Sequence, residues 1–278
     1  MNYIKKIGGK AGTFFVLLFF TLISLFPLYW MFSFSLKTNQ EIFTGNPIGF
    51  PRTPVWENYA TALFSGNIAK YLWNSIIITS ITIVLVILSA LMASYGVSRL
   101  LWQGRNAVGN LFMIGLTVPI HAALLPVFLI LKKLHMLNTY QSLIIPYAAF
   151  MLAMALMIFN SFMQNIPEEL EEAACMDGCG TFRVFFRIIV PMMRPAMATV
   201  AIFTFLQAWN ELMFATVFIS DGTHRTLTVG IQNLCGTYST NWGPIGAALC
   251  AATLPTLLIY IFMSKKVQES LIAGAIKG

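Results

Sequence analysis

The sequence has few charged residues: they occupy 10% of its 278 positions, whereas hydrophobic residues occupy 58%. A soluble domain carries about 25% charged residues, so most of this chain is expected to be solvated by lipid. Backbone polar groups in hydrocarbon must find their hydrogen bonds within the protein. The short alternating segments of a membrane β-barrel are absent from the sequence. We therefore predict an all-α integral membrane protein.

The sequence also lacks the motifs of a nucleotide-binding ATPase and those of a membrane enzyme. A P-loop has the pattern G-x-x-x-x-G-K-[ST], and the nearest stretch, Gly8-Gly9-Lys10-Ala11, has neither the spacing nor the hydroxyl. The three histidines form no H-E-x-x-H pair, and no nucleophile lies in a recognisable elbow. We predict no catalytic and no cofactor-binding residues. Energy for active transport must then come from a partner or from an ion gradient.

The four cysteines form no disulfide framework in this sequence. Cys175 and Cys179 lie four residues apart on one predicted helical face, but no further metal ligands lie nearby. A structural metal site needs about four ligands. We interpret these cysteines as small packing residues and predict no metal site.

Six uncharged or nearly uncharged runs alternate with polar loops along the chain. Each run reaches the ~20 residues that a helix needs to cross a bilayer. The predicted spans are 11–36, 71–98, 106–131, 142–163, 195–219 and 244–263. We expect a kink at Pro27 in the first span and breaks at Pro119 and Pro126 in the third. The whole chain, 1–278, is predicted to form one transmembrane domain.

The basic residues indicate which side of the membrane each loop occupies. Six spans place both termini on one side, and the segments on that side hold 11 Lys and Arg against 6 in the other set. The side with more basic residues is the cytoplasmic one. We therefore predict cytoplasmic termini and a cytoplasmic segment between spans four and five. The net charge of +7 follows from this topology and does not indicate a nucleic acid partner.

That cytoplasmic segment, residues 167–191, is a polar island that holds five of the ten acidic residues. Four glutamates at its start complement the positive end of a helix dipole. Ala173 and Ala174 follow, and their small side chains let another surface come close. Gly178 permits a sharp turn at the helix end, and an amphipathic segment returns to the membrane. This order is unusual for a solvated linker and predicts a short helix that another protein grips.

At this point the sequence resembles a known family. Glu172-Ala173-Ala174, Gly178 and Ile188-x-Val190-Pro191 stand at the spacing of the E-A-A-x3-G-x9-I-x-L-P motif of ABC importer permeases, with Val190 in place of Leu. Other stretches are similar to the smaller permease of the carbohydrate-uptake (maltose-type) branch: Leu137-Asn138-Thr139, Pro167-x-Glu169-Leu170, Asp177-Gly178, Trp209-Asn210-Glu211 and the closing residues 273–278. The resemblance covers nearly the whole chain.

The resemblance implies the type I ABC importer permease fold, with six transmembrane helices and a cytoplasmic coupling helix. It also implies a heterodimer with a second six-helix permease, two copies of a cytoplasmic ATPase that hold ATP and Mg, and an extracellular solute-binding protein. The membrane would be the cytoplasmic membrane of a bacterium or archaeon. The implied ATPase-docking residues are Glu169, Glu172, Ala173, Ala174, Asp177 and Gly178. Lys277 in the tail is a second, weaker contact candidate.

Polar and aromatic residues of the inner spans are candidates for the substrate pathway, because sugar sites use aromatic faces and a few hydrogen-bonding groups. They are Tyr147, Asn160, Gln207, Trp209, Asn210 and Glu211. Two other interpretations stay open: such residues often only join neighbouring helices, and the partner permease could hold the sugar contacts.

Glu211 also suggests an alternative function, since a charged residue inside a membrane is a functional candidate by default. The chain could be an ion-coupled secondary carrier or a channel that uses Glu211. A structural role, in which Glu211 caps or bridges helices, is favoured because span five has no Lys or Arg to pair with it. A further alternative is an ABC permease for glycerol-phosphate or a polyol.

Overall fold

The structure is a computed structural model that describes residues 2–236 and 240–275, with side chains described for 13–236 and 240–262. Within these ranges every regular element is a helix. The α-helices are α1 (Asn2–Ser35), α2 (Glu57–Ala60), α3 (Ile68–Ser98), α4 (Arg105–Ile114), α5 (Leu124–Lys133), α6 (Gln141–Met163), α7 (Glu169–Met176), α8 (Thr181–Val184), α9 (Val190–Met192), α10 (Arg194–Trp209), α11 (Met213–Phe218), α12 (Leu227–Asn233) and α13 (Trp242–Ala275). Short 3-10 helices run over Gly115–Thr117 and Ile120–Ala123, and π-helical turns over Glu41–Gly45, Thr61–Ser65 and Phe185–Ile189.

Four of the described helical segments are long and apolar enough to cross a membrane: Thr13–Ser35, Ile68–Ser98, Gln141–Met163 and Trp242–Phe262. Two bent helix pairs bring the number to six if each pair is one span. The prediction of an all-α membrane protein is therefore confirmed. The single domain over 1–278 stays a prediction.

The predicted third span is a bent pair. Its halves, Arg105–Thr117 and Ile120–Lys133, meet at 94°, and Pro119 lies at the bend, as expected. The prediction of a second break at Pro126 was wrong. Pro126 occupies the third position of α5, where the backbone N–H that proline lacks would have no partner within the helix in any case.

The predicted fifth span, 195–219, is not one continuous helix. It follows a 72° bend between Thr181–Met192 and Arg194–Trp209, and α10 then stops at Trp209. The chain starts again as α11 at Met213. The side chain of Glu211 caps the helix that begins after this second break.

The chain groups into two compact units. One comprises the residues up to Lys70 together with Gly230–Leu254, and the other comprises Tyr71–Val229 together with the residues from Pro255 onward. In the first unit, buried polar side chains fold the loop that follows α1. The candidate functional residues with described side chains all lie in the second unit.

Lys37 organises the loop of the first unit. Its Nζ donates to the carbonyls of Asn46 at 2.7 Å and Gly49 at 2.6 Å. Burial lowers the pKa of this ammonium group, and the carboxylate of Glu41 acts in the opposite direction. A buried amine needs such partners, because desolvation of an unpaired charge is costly.

The second unit has two hydrophobic clusters. One joins α3, α6 and the segment from α7 to α10, and includes Phe159, Ala174 and Ile189. The other joins α5, α6 and α11, and includes Tyr147 and Phe214. Helix α6 contributes to both clusters and so links the segment around α7 to the break in span five.

Candidate functional site

Helix α7 is exposed along most of its length, with only Glu171 and Ala174 of its eight residues withdrawn from the surface. Glu169, Glu172, Ala173 and Met176 are exposed, and their spacing of i, i+3, i+4 and i+7 places them on one side of the helix. Met176 is 89% exposed. This side of α7 therefore exposes two carboxylates, one small side chain and one large apolar side chain.

The opposite side of α7 packs against the protein itself. Ala174, one of the predicted docking residues, is only 7% exposed and belongs to the cluster that contains Val184 and Ile189. Its small side chain therefore lets α7 approach its own core. Of the alanine pair, Ala173 faces outward.

Gly178 ends this segment with a left-handed turn. Its φ is +78°, a conformation that L residues rarely adopt. The N–H of Gly178 donates to the carbonyl of Cys175, and the N–H of Cys179 donates to the carbonyl of Ala174. A Cβ at position 178 would meet no heavy atom of the described chain within 4 Å, so the backbone conformation, and not crowding, requires glycine. Asp177 beside it is exposed.

Arg99 anchors the start of α7, a role that the sequence does not indicate because Arg99 stands there only as a basic residue between two spans. Its guanidinium forms ion pairs with Glu168 at 2.9 Å and with Glu171 at 3.2 Å. It also donates to the carbonyl of Met163 at 2.7 Å and to that of Ile166. The Arg99 side chain is only 7% exposed, so its charge faces inward.

Tyr147 and Glu211 form one buried polar cluster at the break in span five. The Tyr147 hydroxyl donates to Oε2 of Glu211 at 2.6 Å. The backbone N–H groups of Phe214 and Ala215 donate to the same carboxylate at 2.9 and 3.1 Å. Glu211 is thus the cap of α11, because it satisfies donors that have no partner within the helix. The structural role expected of Glu211 is what the structure shows.

One other pathway candidate, Asn160, lies away from this cluster. Asn160 lies on α6 roughly 20 Å from Tyr147 along the helix axis. Its Oδ1 accepts hydrogen bonds from Ser94 at 2.6 Å and Ser98 at 2.9 Å, so Asn160 joins α6 to α3. Trp209 is 4% exposed and stacks on Phe205.

Gln207 and Asn210 are the pathway candidates on an exposed face. Phe203 and Leu206 are exposed as well, and the spacing of these four residues places them on one side of α10. The Asn210 side chain donates to the carbonyl of Leu206 at 2.8 Å. An amide facing hydrocarbon is unfavourable, so this face is expected to lie against a partner or a water-filled cavity.

Asn138, the middle residue of the stretch Leu137-Asn138-Thr139, holds the segment after α11 in place. Its φ is +60°, and its N–H donates to the carbonyl of Phe218. Its Oδ1 accepts from the N–H groups of Ser220 at 2.6 Å and Asp221 at 3.2 Å. Asn138 therefore holds this segment through both its backbone and its side chain.

Asp221 orders the next turn of the same segment by accepting hydrogen bonds from Thr223 and His224. Burial raises the pKa of its carboxyl, but hydrogen bonds from His224 and Thr223 outweigh that effect and lower the pKa to about 2. The carboxylate therefore stays ionised and orders the turn at ordinary pH.

Lys277, the tail candidate, lies outside the described residues. Within the described part of the chain, no group of three or more His, Cys, Asp or Glu side chains is placed to hold a metal ion.

A family model described as "Binding-protein-dependent transport system inner membrane component" matches residues 86–268, which include Arg99, α7 and Glu211. The chain belongs to this family. A relative in Caldicellulosiruptor sp. (strain Rt8B.4), a putative ABC transporter permease protein ORF2, is 38% identical over 100% of both chains. The trehalose/maltose transport system permease protein MalG of Thermococcus litoralis is 34% identical over 92% of this chain and 93% of its own.

This binding-protein-dependent permease also matches a solved structure. The crystal structure of a bacterial ABC transporter involved in the import of the acidic polysaccharide alginate aligns with a TM-score of 0.82 and 21% identity, over 94% of this chain and 96% of that one. The fold is therefore that of type I ABC importer permeases. The permease is an integral membrane transport protein and not an enzyme, and its family works with binding proteins.

Proposed function

We propose that this permease is a subunit of an ABC importer for a sugar or oligosaccharide, in which α7 is the coupling helix. The observation that carries the proposal is the exposed face of α7, where Glu169, Glu172, Ala173 and Met176 point away from the protein's own core. Closure of an ATPase dimer around ATP would move α7, and the permease halves would rock between inward-facing and outward-facing states. This is a two-state shift that a partner's ligand drives.

The proposed complex contains a second six-helix permease, two ATPase copies that bind ATP and Mg and hydrolyse ATP, and an extracellular solute-binding protein. The lack of a P-loop in this chain supports a separate ATPase. The excess of basic residues on one set of segments supports cytoplasmic termini and a cytoplasmic α7. The proposed location is the cytoplasmic membrane of a bacterium or archaeon.

Carbohydrate is the proposed substrate class. The relative from Thermococcus litoralis is named for trehalose and maltose, and the matching crystal structure for alginate. Gln207 and Asn210 would supply amide groups to the pathway. Tyr147, Trp209 and Glu211 are buried, so they would shape the wall from behind and would not stack on sugar rings.

Co-purification tests the proposal. The tagged chain is extracted from native membranes in a mild detergent, and its partners are identified by mass spectrometry. A P-loop ATPase and a second permease are expected. Recovery of the chain without either partner would contradict the assignment.

Substrate class is tested on the binding protein of the same system. Thermal-shift screening against monosaccharides, oligosaccharides, polyols and glycerol-phosphate should select a sugar or oligosaccharide. Selection of glycerol-phosphate or a polyol would leave the assignment as an ABC permease intact and would contradict sugar as the substrate class.

The ion-coupled alternative is not favoured, because the Glu211 carboxylate already accepts three hydrogen bonds from within the protein. Uptake by this chain alone in liposomes under a proton gradient would restore that alternative.

A further inference from the structure

We propose that Arg99 is a positioning residue that joins α7 to α3 and α6, so that the three helices move as one body. This proposal rests on the proposed function of α7 as the coupling helix. The ATPase would move the permease by pulling or pushing on the docking face of α7. Arg99 would determine how much of that movement reaches the membrane-crossing helices.

Arg99 is attached to the end of α3, and its guanidinium contacts the ends of the other two helices. Arg99 follows directly after α3, and its Nη2 donates to the carbonyl of Met163, the last residue of α6, at 2.7 Å and to that of Ile166. The ion pairs with Glu168 and Glu171 then reach the first turn of α7. A lysine has one nitrogen and could not span these partners, whereas arginine has five donors in a planar fork.

Two neighbouring contacts strengthen the same joint. The hydroxyl of Tyr95 on α3 donates to Oε2 of Glu171 at 3.0 Å, so Glu171 is held by two residues of the α3 end. Ser94 and Ser98 of α3 bind Asn160 of α6. The α3–α6 contact therefore does not depend on Arg99 alone, and α7 is joined to α3 by the polar contacts of Arg99 and Tyr95 in addition to the packing of Ala174.

Burial separates this role from direct docking. The side chains of Arg99 and Glu171 are 7% and 14% exposed, whereas that of Glu168 is 77% exposed. A charge pair that is largely removed from water is screened less by salt than an exposed pair. Nε of Arg99 and Oε1 of Glu171 are close enough for an ion pair but share no hydrogen bond, so Glu171 is positioned by this charge attraction together with the hydrogen bond from Tyr95. A partner protein would contact the outward face of α7 instead.

The test measures whether α6 follows α7 when nucleotide binds. Spin labels are placed at Cys175 on α7 and at Met157 on α6, both exposed, in a chain whose other cysteines have been replaced; Cys175 lies beside the docking face and not on it. The complex is purified with its ATPase, and the distance between the labels is measured with and without Mg and a non-hydrolysable ATP analogue. In the parent chain the distribution of distances should be narrow, and its mean should be the same with and without nucleotide.

In Arg99→Gln, we expect the distance distribution to broaden and to shift on nucleotide binding by about 2 Å, the size of helix displacements in switching proteins. A merely structural role would broaden both states equally without a nucleotide-dependent shift. Arg99→Lys should give an intermediate result and decides the question if Arg99→Gln does not assemble. Arg105→Gln, at the arginine that begins α4, should behave as the parent.

The proposal is overturned if the assembled Arg99 variant keeps the parent's distance in both states, or broadens equally in both. Failure of the proposed function looks different, because no ATPase would then co-purify with the parent chain. The two hypotheses are therefore tested by separate readouts.

Discussion

Tyr147 on α6 and Glu211 before α11 are joined by a 2.6 Å hydrogen bond between buried side chains. The same carboxylate caps α11 through the N–H groups of Phe214 and Ala215. Buried polar groups are costly unless they are satisfied, and here three donors meet one acidic group. Glu211 therefore caps the helix that begins after the break in span five and ties it to α6.

Glu211→Gln should destabilise the protein by about 1–3 kcal/mol, because one acceptor oxygen becomes an NH₂ group that faces a donor. Tyr147→Phe removes a single bond and should cost about 1 kcal/mol. Thermal unfolding in detergent measures both variants. If Glu211→Gln were as stable as the parent but inactive in uptake, the acid would have a transport role and the cap would be secondary.

Gly178→Ala should lower the free energy of unfolding by about 1–2 kcal/mol, because an L residue is strained at positive φ. Gly180 is the matched control. It also has open space around it, but its φ of −76° and ψ of 161° suit any residue, so Gly180→Ala should stay within about 0.5 kcal/mol of the parent. Equal losses in the two variants would argue against a conformational requirement at position 178.

Glu172→Lys should weaken retention of the ATPase roughly tenfold, because it reverses the charge on the exposed face of α7. The fold should be unaffected, since the side chain is exposed. The ratio of ATPase to permease after co-purification measures the effect. Glu57→Lys, at an exposed glutamate that begins α2, is the control, and a similar loss there would mean that net charge and not position is responsible.

Asn138→Gly should free the segment after α11, because glycine tolerates positive φ but has no oxygen to accept the Ser220 and Asp221 N–H groups. Hydrogen exchange at these two amides should accelerate. Asn138→Asp keeps the acceptor and should preserve protection. Unchanged exchange in Asn138→Gly would assign the order of this segment to other contacts.

Local signals made α7 and its turn predictable. The run of glutamates, the two alanines and Gly178 act within one helix and its end, so the sequence alone predicts a short capped helix. The cap of α11 is almost as local, since the donors are three and four residues after Glu211. The polar triplet Trp209-Asn210-Glu211 inside an apolar run was the available signal for a break.

Long-range pairs could not be predicted in this way. The partners of Arg99 lie some 70 residues later on another helix and loop, and nothing in the spacing of residues shows that these ends meet. The contacts of Asn160 could not be predicted for the same reason, because its serine partners lie on another helix, α3. Its polarity inside a span suggested a substrate contact, whereas the structure uses it between helices.

Photo-cross-linking from position 176 tests the central claim most directly. A benzophenone amino acid replaces Met176, which is 89% exposed on α7, and native membranes are irradiated. The account predicts a cross-link to a P-loop ATPase, and none to that protein from Leu101, a control position that is 86% exposed. The absence of an ATPase adduct from position 176, in membranes where the chain is active in uptake, would contradict the assignment of α7 as the coupling helix.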